Sequence, residues 1–265
     1  MIVARKRFGQ NFLHDQGIIR RIVQTVAPRP GEAVVEIGPG RAAITRPLLA
    51  ACGQLDAVEI DRDLIALLRD PDTGLDGLTV HEADVLRFDF RTLARDREQS
   101  LRVVGNLPYN ISTPLIFHLL DQIEVIQDMH FMLQREVVER MAAAPGGGDY
   151  GRLTVMLAAQ VEVVPLFHIA PGCFTPAPQV ESAFVRLVPH ARPPFPLPDK
   201  ALYARLVSAA FGQRRKTLRN ALKGLAGEAD IRAVGLDPTA RAEQIAPPQY
   251  AALASHLVSL GAVIP

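Results

Sequence analysis

AVVEIGPGRAAITRPLLAACGQLDAVEIDRDLIALLRD, residues 33–70, sets two short strand-like runs, AVVEI (33–37) and LDAVEI (55–60), between helix-like runs at 42–51 and 63–70. Strand, helix, strand, helix in this order predicts parallel strands joined by right-handed crossovers. The pattern extends outward. Further strands are predicted at 78–83 (LTVHEA), 101–105 (LRVVG), 128–134 (DMHFMLQ), 162–169 (EVVPLFHI) and 182–188 (SAFVRLV), with helices between most of them. The last two are spaced like a hairpin, which predicts an antiparallel edge on an otherwise parallel α/β sheet.

The chain has 265 residues, 48% of them hydrophobic, enough for one large domain and a small one. The proline-dense stretch PHARPPFPLPDK (189–200) reads as a linker, giving domains 1–190 and 191–265, the second helical by period. No signal-like apolar segment and no run of about 18 apolar residues is found, so a cytoplasmic protein is expected. Cys52 and Cys173 lie far apart and outside any C-x-x-C pattern, suggesting neither a disulfide framework nor a metal site. Net charge is only +1, yet residues 200–265 carry nine Lys/Arg against four Asp/Glu. That asymmetry points to an anionic partner. Within YARLVSAAFGQRRKTLRNALKGL, read as helix, Arg214 and Arg215 fall one turn from Arg219, and with Lys216 they are candidates for holding the phosphates of such a partner.

EIGPGRAA (36–43) joins the first strand to the first helix and fits G-x-G-x-x-G/A, with Glu59 at the end of the next strand. Taken alone, this turn suits a dinucleotide. Glu36 argues otherwise, because a carboxylate there would face a pyrophosphate on the helix N-terminus. S-adenosylmethionine carries a sulfonium and an ammonium and no phosphate, so an acidic strand end suits it better. Glu59 is then placed to accept from ribose hydroxyls, and Asp84, after the third strand, from an adenine amino group. Each acid alone would be read as a solvated strand end or a helix cap. Three at successive strand ends of one α/β unit point into one crevice.

VVGNLPYNISTPLIFHLL (103–120) places NLPY at the end of the fourth strand. With a methyl donor in the crevice, the acceptor is expected to be an exocyclic amine. An adenine N6 lone pair is delocalised into the ring, and it becomes nucleophilic when both N–H bonds are held and the nitrogen pyramidalises. The Asn106 side-chain oxygen and the Leu107 carbonyl are the two candidate acceptors. Pro108 keeps Leu107 extended, which presents that carbonyl, and Tyr109 can stack on the base. An Asx cap and a helix start near Ser112 and Pro114 also fit this stretch, but they explain neither Pro108 nor Tyr109. Phe174, in CFTPAPQV, either closes the other face of the base or is an ordinary core residue.

KRFGQNFLHD, VVEIGPG, VEID, EADV, VVGNLPYNIS, FMLQREVVERM, YGRLTVM, FTPAPQVESAFVRLVP and FGQRRKTLRNAL together resemble the ribosomal RNA adenine N6-dimethyltransferases, most closely those of the bacterial small subunit. The resemblance covers nearly the whole chain. It implies a Rossmann-like methyltransferase domain followed by a small helical domain. The implied activity is dimethylation of two adjacent adenosines near the 3′ end of small-subunit RNA, in an assembling particle, with S-adenosylmethionine as cofactor. No metal and no obligate protein partner is implied. Carried over by position, Asn11, Leu13, Gly38, Glu59, Asp84 and Asn106 would contact the cofactor, and Asn106, Leu107, Tyr109 and Phe174 would surround the target base. KRFGQNFL would fold over the cofactor as a lid. His14 and Ala177 stand where the family pattern has Asn and Pro. A large-subunit methylase shares the catalytic motifs, and FGQRRKTLRNAL argues against it. A catalytically silent assembly factor would have eroded EIGPG or NLPY, and both are intact.

Overall fold

The computed structural model describes residues 10–213 and 215–261. The chain divides into two compact units, residues up to 138 with 164–189, and 139–163 with 190 onward. In chain order the first runs through β1 (Phe12–Leu13), α1 (Gln16–Val26), β2 (Val34–Ile37), α2 (Thr45–Cys52), β3 (Leu55–Glu59), α3 (Arg62–Leu68), β4 (Leu78–Glu82), α4 (Phe90–Arg97), β5 (Leu101–Asn106), α5 (Ser112–Leu120) and β6 (Ile126–Gln134). The chain continues through α6 (Arg135–Met141) and α7 (Arg152–Ala158), then along β7 (Val161–Ile169), β8 (Phe174–Thr175) and β9 (Ser182–Pro189).

The main sheet has the order β4-β3-β2-β5-β6-β9-β7. β4, β3, β2, β5 and β6 are parallel to their neighbours, and β9 runs antiparallel to β6. This is the Rossmann-like sheet with an antiparallel edge that the strand spacing predicts. β2 and β3 are buried along their whole length and β5 at all but its last residue, as expected for strands covered on both faces. β5 also needs its glycine: a Cβ on Gly105 would stand 2.8 Å from the Ile37 carbonyl oxygen on β2. Helix α1 is fixed at both ends. Asp15 Oδ1 accepts from the Ile18 amide at 2.8 Å, and Arg102 Nη2 donates to the Val26 carbonyl at 2.7 Å.

The proline-rich stretch near 190 marks one crossing between the units. A second, near 138, carries no comparable segment, and 139–163 groups with the C-terminal unit because Tyr150, Val155 and Ala159 join its core. That unit also contains α8 (Lys200–Gly212), α9 (Leu218–Ala221), α10 (Glu228–Ala233) and α11 (Pro247–Ser259). Three buried tyrosines tie it together through their hydroxyls: Tyr150 donates to Ile245 O at 2.8 Å, Tyr203 to Val155 O at 2.8 Å and Tyr250 to Ala242 O at 3.0 Å.

The long basic helix expected across 203–225 is not continuous. α8 ends at Gly212, and α9 begins only at Leu218. Between them Lys216 N bonds Gln213 O in a turn, and Leu218 N and Arg219 N bond Ala240 O and Pro238 O. The backbone donors that would have continued the helix are taken by a distant loop. Arg215 and Arg219 therefore do not share one helix face.

Candidate active site

Parallel strands in register bring their carboxyl ends to one edge. Ile37 stands beside Val58 and Gly105, Glu59 beside Glu82, and Asn106 beside Met132. Above that edge lies a cavity of about 290 Å³. Its lining includes Asn11, Leu13, Glu36, Gly38, Glu59, Asp84, Asn106, Leu107 and Tyr109. The residues that sequence spacing placed on separate strand ends thus meet around one space.

The glycine turn is shaped by its neighbour across the cavity mouth. Gly40 has φ +56°, and a Cβ there would meet the Phe12 ring at 3.2 Å. The Arg41 guanidinium lies over the same ring, 4.5 Å from its centroid. Strand β1 is held at the cavity by several further bonds. Gln10 Nε2 donates to Asp61 Oδ2 at 3.1 Å, and Phe12 and Leu13 pair with Thr175 and Phe174 of β8. Residues 10–13 line the cavity, while residues 6–9 of the expected lid segment lie outside the described residues. Gln10, Phe12 and Arg41 were not picked out from the sequence. A two-residue strand has no periodicity to betray it, although Phe12 sits between the two positions that the family pattern marks.

The acids are buried to different degrees. Glu36 is 2% exposed, and burial pushes its carboxyl up to about 7, with the charge of Glu59 adding to the effect. The Thr45 hydroxyl pulls the other way but does not reach bonding geometry, since Thr45 Oγ1 and Glu36 Oε2 are both buried without a hydrogen-bond partner. Burial also raises Glu59, against the amides of Asp61 and Ile60 that donate to its Oε1, both at 2.9 Å. The Gly40 amide acts on the carboxylate as well, and together these backbone donors fix it. Asp84 is exposed and caps the turn at 85–87, its Oδ1 accepting from the Leu86 amide at 3.0 Å.

Asn106 is oriented by a single bond. Its Nδ2 donates to the backbone carbonyl of Asn11 at 2.9 Å, and because only the amide nitrogen can donate, the flip is chemically assigned. The Oδ1 is then the free acceptor. Leu107 N donates to Met132 O at 3.2 Å, which locks the strand end, and Pro108 follows. A cavity walled by carboxylates, with an oriented amide oxygen at its rim, suits a cationic ligand bearing hydroxyls beside an amine acceptor.

A family model described as ribosomal RNA adenine dimethylase matches residues 1–258. The chain belongs to the ribosomal RNA adenine dimethylase family. Among its relatives, "Ribosomal RNA small subunit methyltransferase A" of Pseudomonas fluorescens is 54% identical over 96% of this chain and 94% of that protein. The protein of the same name from Methylococcus capsulatus is 55% identical over 96% of this chain and 98% of its own length. Among solved structures, the 23S rRNA methyltransferase ErmE is 28% identical with a TM-score of 0.70, covering 94% of this chain and all of that one. A dimethyladenosine transferase from Plasmodium falciparum shares the fold at 23% identity with a TM-score of 0.76, covering 94% of this chain and 98% of that one.

Two of the expected site groups in this dimethylase are placed differently from the rest. Phe174 is 3% exposed and packs in the core with Phe184, Phe167 and Leu13, and it does not line the cavity. That placement fits the core reading of Phe174, which also pairs with Leu13 across β1 and β8. In the C-terminal unit Arg215 and Lys216 are exposed in the turn before α9, and Arg219 lies 3.5 Å from Glu228. Arg214 lies outside the described residues. Among the described residues no helix is long and apolar enough to cross a membrane.

Proposed function

We propose that this dimethylase transfers methyl groups from S-adenosylmethionine to the N6 atoms of two adjacent adenosines, in a loop near the 3′ end of small-subunit ribosomal RNA, within an assembling particle in the cytoplasm. S-adenosylmethionine supplies, when bound, an activated methyl group on a positively charged sulfur. The buried, unpartnered Glu36 oxygen is the observation that fits such a cation to this cavity. Glu59 offers its carboxylate to ribose hydroxyls, Asp84 offers its second oxygen to the adenine amino group, and Asn11 and Leu13 close the mouth.

The observation that carries the reading is the bond from Asn106 Nδ2 to Asn11 O. With Nδ2 engaged, Oδ1 is left as an acceptor that, together with the Leu107 carbonyl, would hold the two N–H bonds of one amine. An amide does not act as a general base near neutral pH, and it is not required to do so. The acceptor nitrogen becomes cationic as it gains the methyl group and then passes a proton to water. Rate comes from alignment and pre-set acceptors. Tyr109 supplies the stacking face, a contact worth about 1–3 kcal/mol per base. Arg215 and Lys216, with Arg214, supply phosphate contacts, each of which should steepen the salt dependence of log K by about 0.7 on single-stranded RNA.

The test is to incubate purified protein and labelled S-adenosylmethionine with unmethylated small subunits, and separately with large subunits, and to map the modified bases. Two adjacent dimethyladenosines in small-subunit RNA are expected, and Asn106→Ala should slow single turnover by about tenfold to a hundredfold. Label confined to large subunits, or an Ala variant as fast as wild type, would overturn the reading.

A further inference from the structure

Tyr109 is tethered in a way the reaction itself does not require. It sits on the loop after β5, yet its hydroxyl is 2.7 Å from Oγ of Ser182, the first residue of β9. In the sheet β6 lies between β5 and β9, so the tyrosine side chain crosses the end of β6 to reach its partner. Ser182 is 0% exposed and stands opposite Gln134 in the β6–β9 ladder. The chain just before it is clamped to the same strand end, with Arg135 N donating to Glu181 O at 2.9 Å and Arg135 Nη1 to Glu181 Oε2 at 2.8 Å. At the other end of the residue, Ser112 Oγ donates to the Tyr109 carbonyl at 3.2 Å.

A tyrosine at a cavity rim ordinarily turns its hydroxyl to water and keeps its ring mobile. Here both ends are held, the backbone by Ser112 and the hydroxyl by a serine that has no exposure of its own. Fixing both ends removes rotation about the two side-chain torsions and sets the plane of the ring before any base arrives. Pre-setting the ring matters because the acceptor nitrogen must meet two carbonyl-type oxygens and the methyl donor together. A ring free to tilt would let the stacked base, and its N6, drift off that line.

We infer that Ser182 is a positioning residue for the methyl acceptor: through the Tyr109 hydroxyl it holds the plane against which the target adenine stacks. The inference rests on the proposed role of Tyr109 as the stacking face. It assigns the strand start at 182 a part in base alignment that is separate from cofactor binding, since Ser182 does not line the cavity.

Tyr109→Phe, Ser182→Ala and the double variant test it, with Tyr109→Ala as the control for the underlying reading. Single-turnover rate is measured at saturating cofactor, and stacking is followed by the fluorescence of 2-aminopurine placed at the target position of small-subunit RNA. Tyr109→Phe and Ser182→Ala should each slow the chemical step by about five- to tenfold and weaken the quench, with S-adenosylmethionine affinity unchanged. The double variant should be no slower than either single one, because both remove the same bond. Additive losses, or unchanged rate and quench in both single variants while Tyr109→Ala is impaired, would overturn the inference. So would a Ser182→Ala protein with lowered melting temperature but wild-type rate and quench. If Tyr109→Ala itself keeps wild-type rate and quench, the stacking reading fails instead. Should Ser182→Ala fail to fold, Tyr109→Phe carries the same test.

Discussion

Strand β3 carries a buried carboxylate near each end, and the two live in opposite circumstances. At the amino end Asp56 accepts from Arg97 Nε and Nη2, both at 2.8 Å, and meets His81 Nε2 at 2.8 Å. Burial pushes Asp56 up, but those hydrogen bonds and the Arg97 charge outweigh it and hold the carboxyl below its usual range. At the carboxyl end Glu59 has only backbone amides, and burial wins. β5 and β6 repeat the contrast. Near their amino ends Arg102 grips Asp128 with two bonds of 3.0 Å and reaches Glu32 at 2.7 Å, while Asn106 at the far end of β5 is half-buried and lines the same cavity as Glu36, one of whose oxygens has no hydrogen-bond partner. One end of the sheet neutralises its charges internally. The other leaves acceptors unsatisfied, which is a cost in the free protein and an opening for a cationic ligand.

The largest consequence belongs to the paired end. Arg102 is 6% exposed and Asp128 1%, so replacing Arg102 by Met leaves a buried carboxylate that, among the described residues, keeps Arg186 at 3.0 Å and the His130 ring at 3.8 Å. The same change frees the Val26 carbonyl at the end of α1. A loss of about 3–5 kcal/mol is expected from the urea midpoint. Cofactor affinity under native conditions should stay as it was. A variant within about 1 kcal/mol of wild type would mean that the network is bystander rather than anchor.

Titration separates the two circumstances next. Glu36 stands at about 7 in the folded chain against an ordinary 4.5, so its stability contribution is whole below pH 4.5 and is lost as pH rises through 7. His130 is 1% exposed with neither ring nitrogen hydrogen-bonded, Nδ1 lying 3.8 Å from Asp128 Oδ1. Burial lowers it from 6.5 to about 4, with Arg102 and Arg186 helping and Asp128 opposing. Its contribution is whole above pH 6.5 and is lost as pH falls through 4. Between pH 4.5 and 6.5 the two slopes oppose each other, each worth about 3 kcal/mol over its full range. Glu36→Gln should therefore leave stability rising with pH across that window, and His130→Phe should leave it falling. Urea midpoints at pH 4.5, 5.5 and 6.5 that move the same way in both variants would dissolve the contrast.

How much of this could be read without coordinates follows from what parallel strands do. Once β2 to β6 are parallel and in register, acids and amides at or just after the strand ends are brought to one edge, so the meeting of Glu36, Glu59, Asp84 and Asn106 needed only strand order. Features resting on long-range pairing were not legible. Ser182 meets Tyr109 across 73 residues, the helix break before Leu218 depends on Ala240 and Pro238, and 139–163 joins the second unit through scattered core side chains. Phe174 shows the limit of spacing, since a core phenylalanine and a stacking one occupy the same kind of loop. Its strand pairing with a two-residue β1 leaves no pattern in the chain.

The smallest expected effect sharpens the comparison from the open end. Among the described residues no cation acts on Glu36, whereas the proposed cofactor brings two positive groups toward a cavity that Glu59 and Asp84 also line. At pH 8 Glu36 is already ionised, and its attraction is fully available. At pH 6 it is protonated in the free chain, so a cation must expel a proton to gain the same partner, and affinity should fall. Glu59, also raised, adds to that trend, which is why a variant at Glu36 is needed to isolate it. Glu36→Gln should bind S-adenosylmethionine about tenfold more weakly than wild type at pH 8, about 1.4 kcal/mol, with most of the loss gone at pH 6. S-adenosylhomocysteine, lacking the sulfonium charge, should be affected less. Calorimetry in two buffers of different ionisation heat reads both the affinity and the proton released. Equal affinities of the two proteins at pH 8, or an unaltered proton release in the Gln variant, would show that the unpartnered oxygen serves neither the cofactor nor its charge.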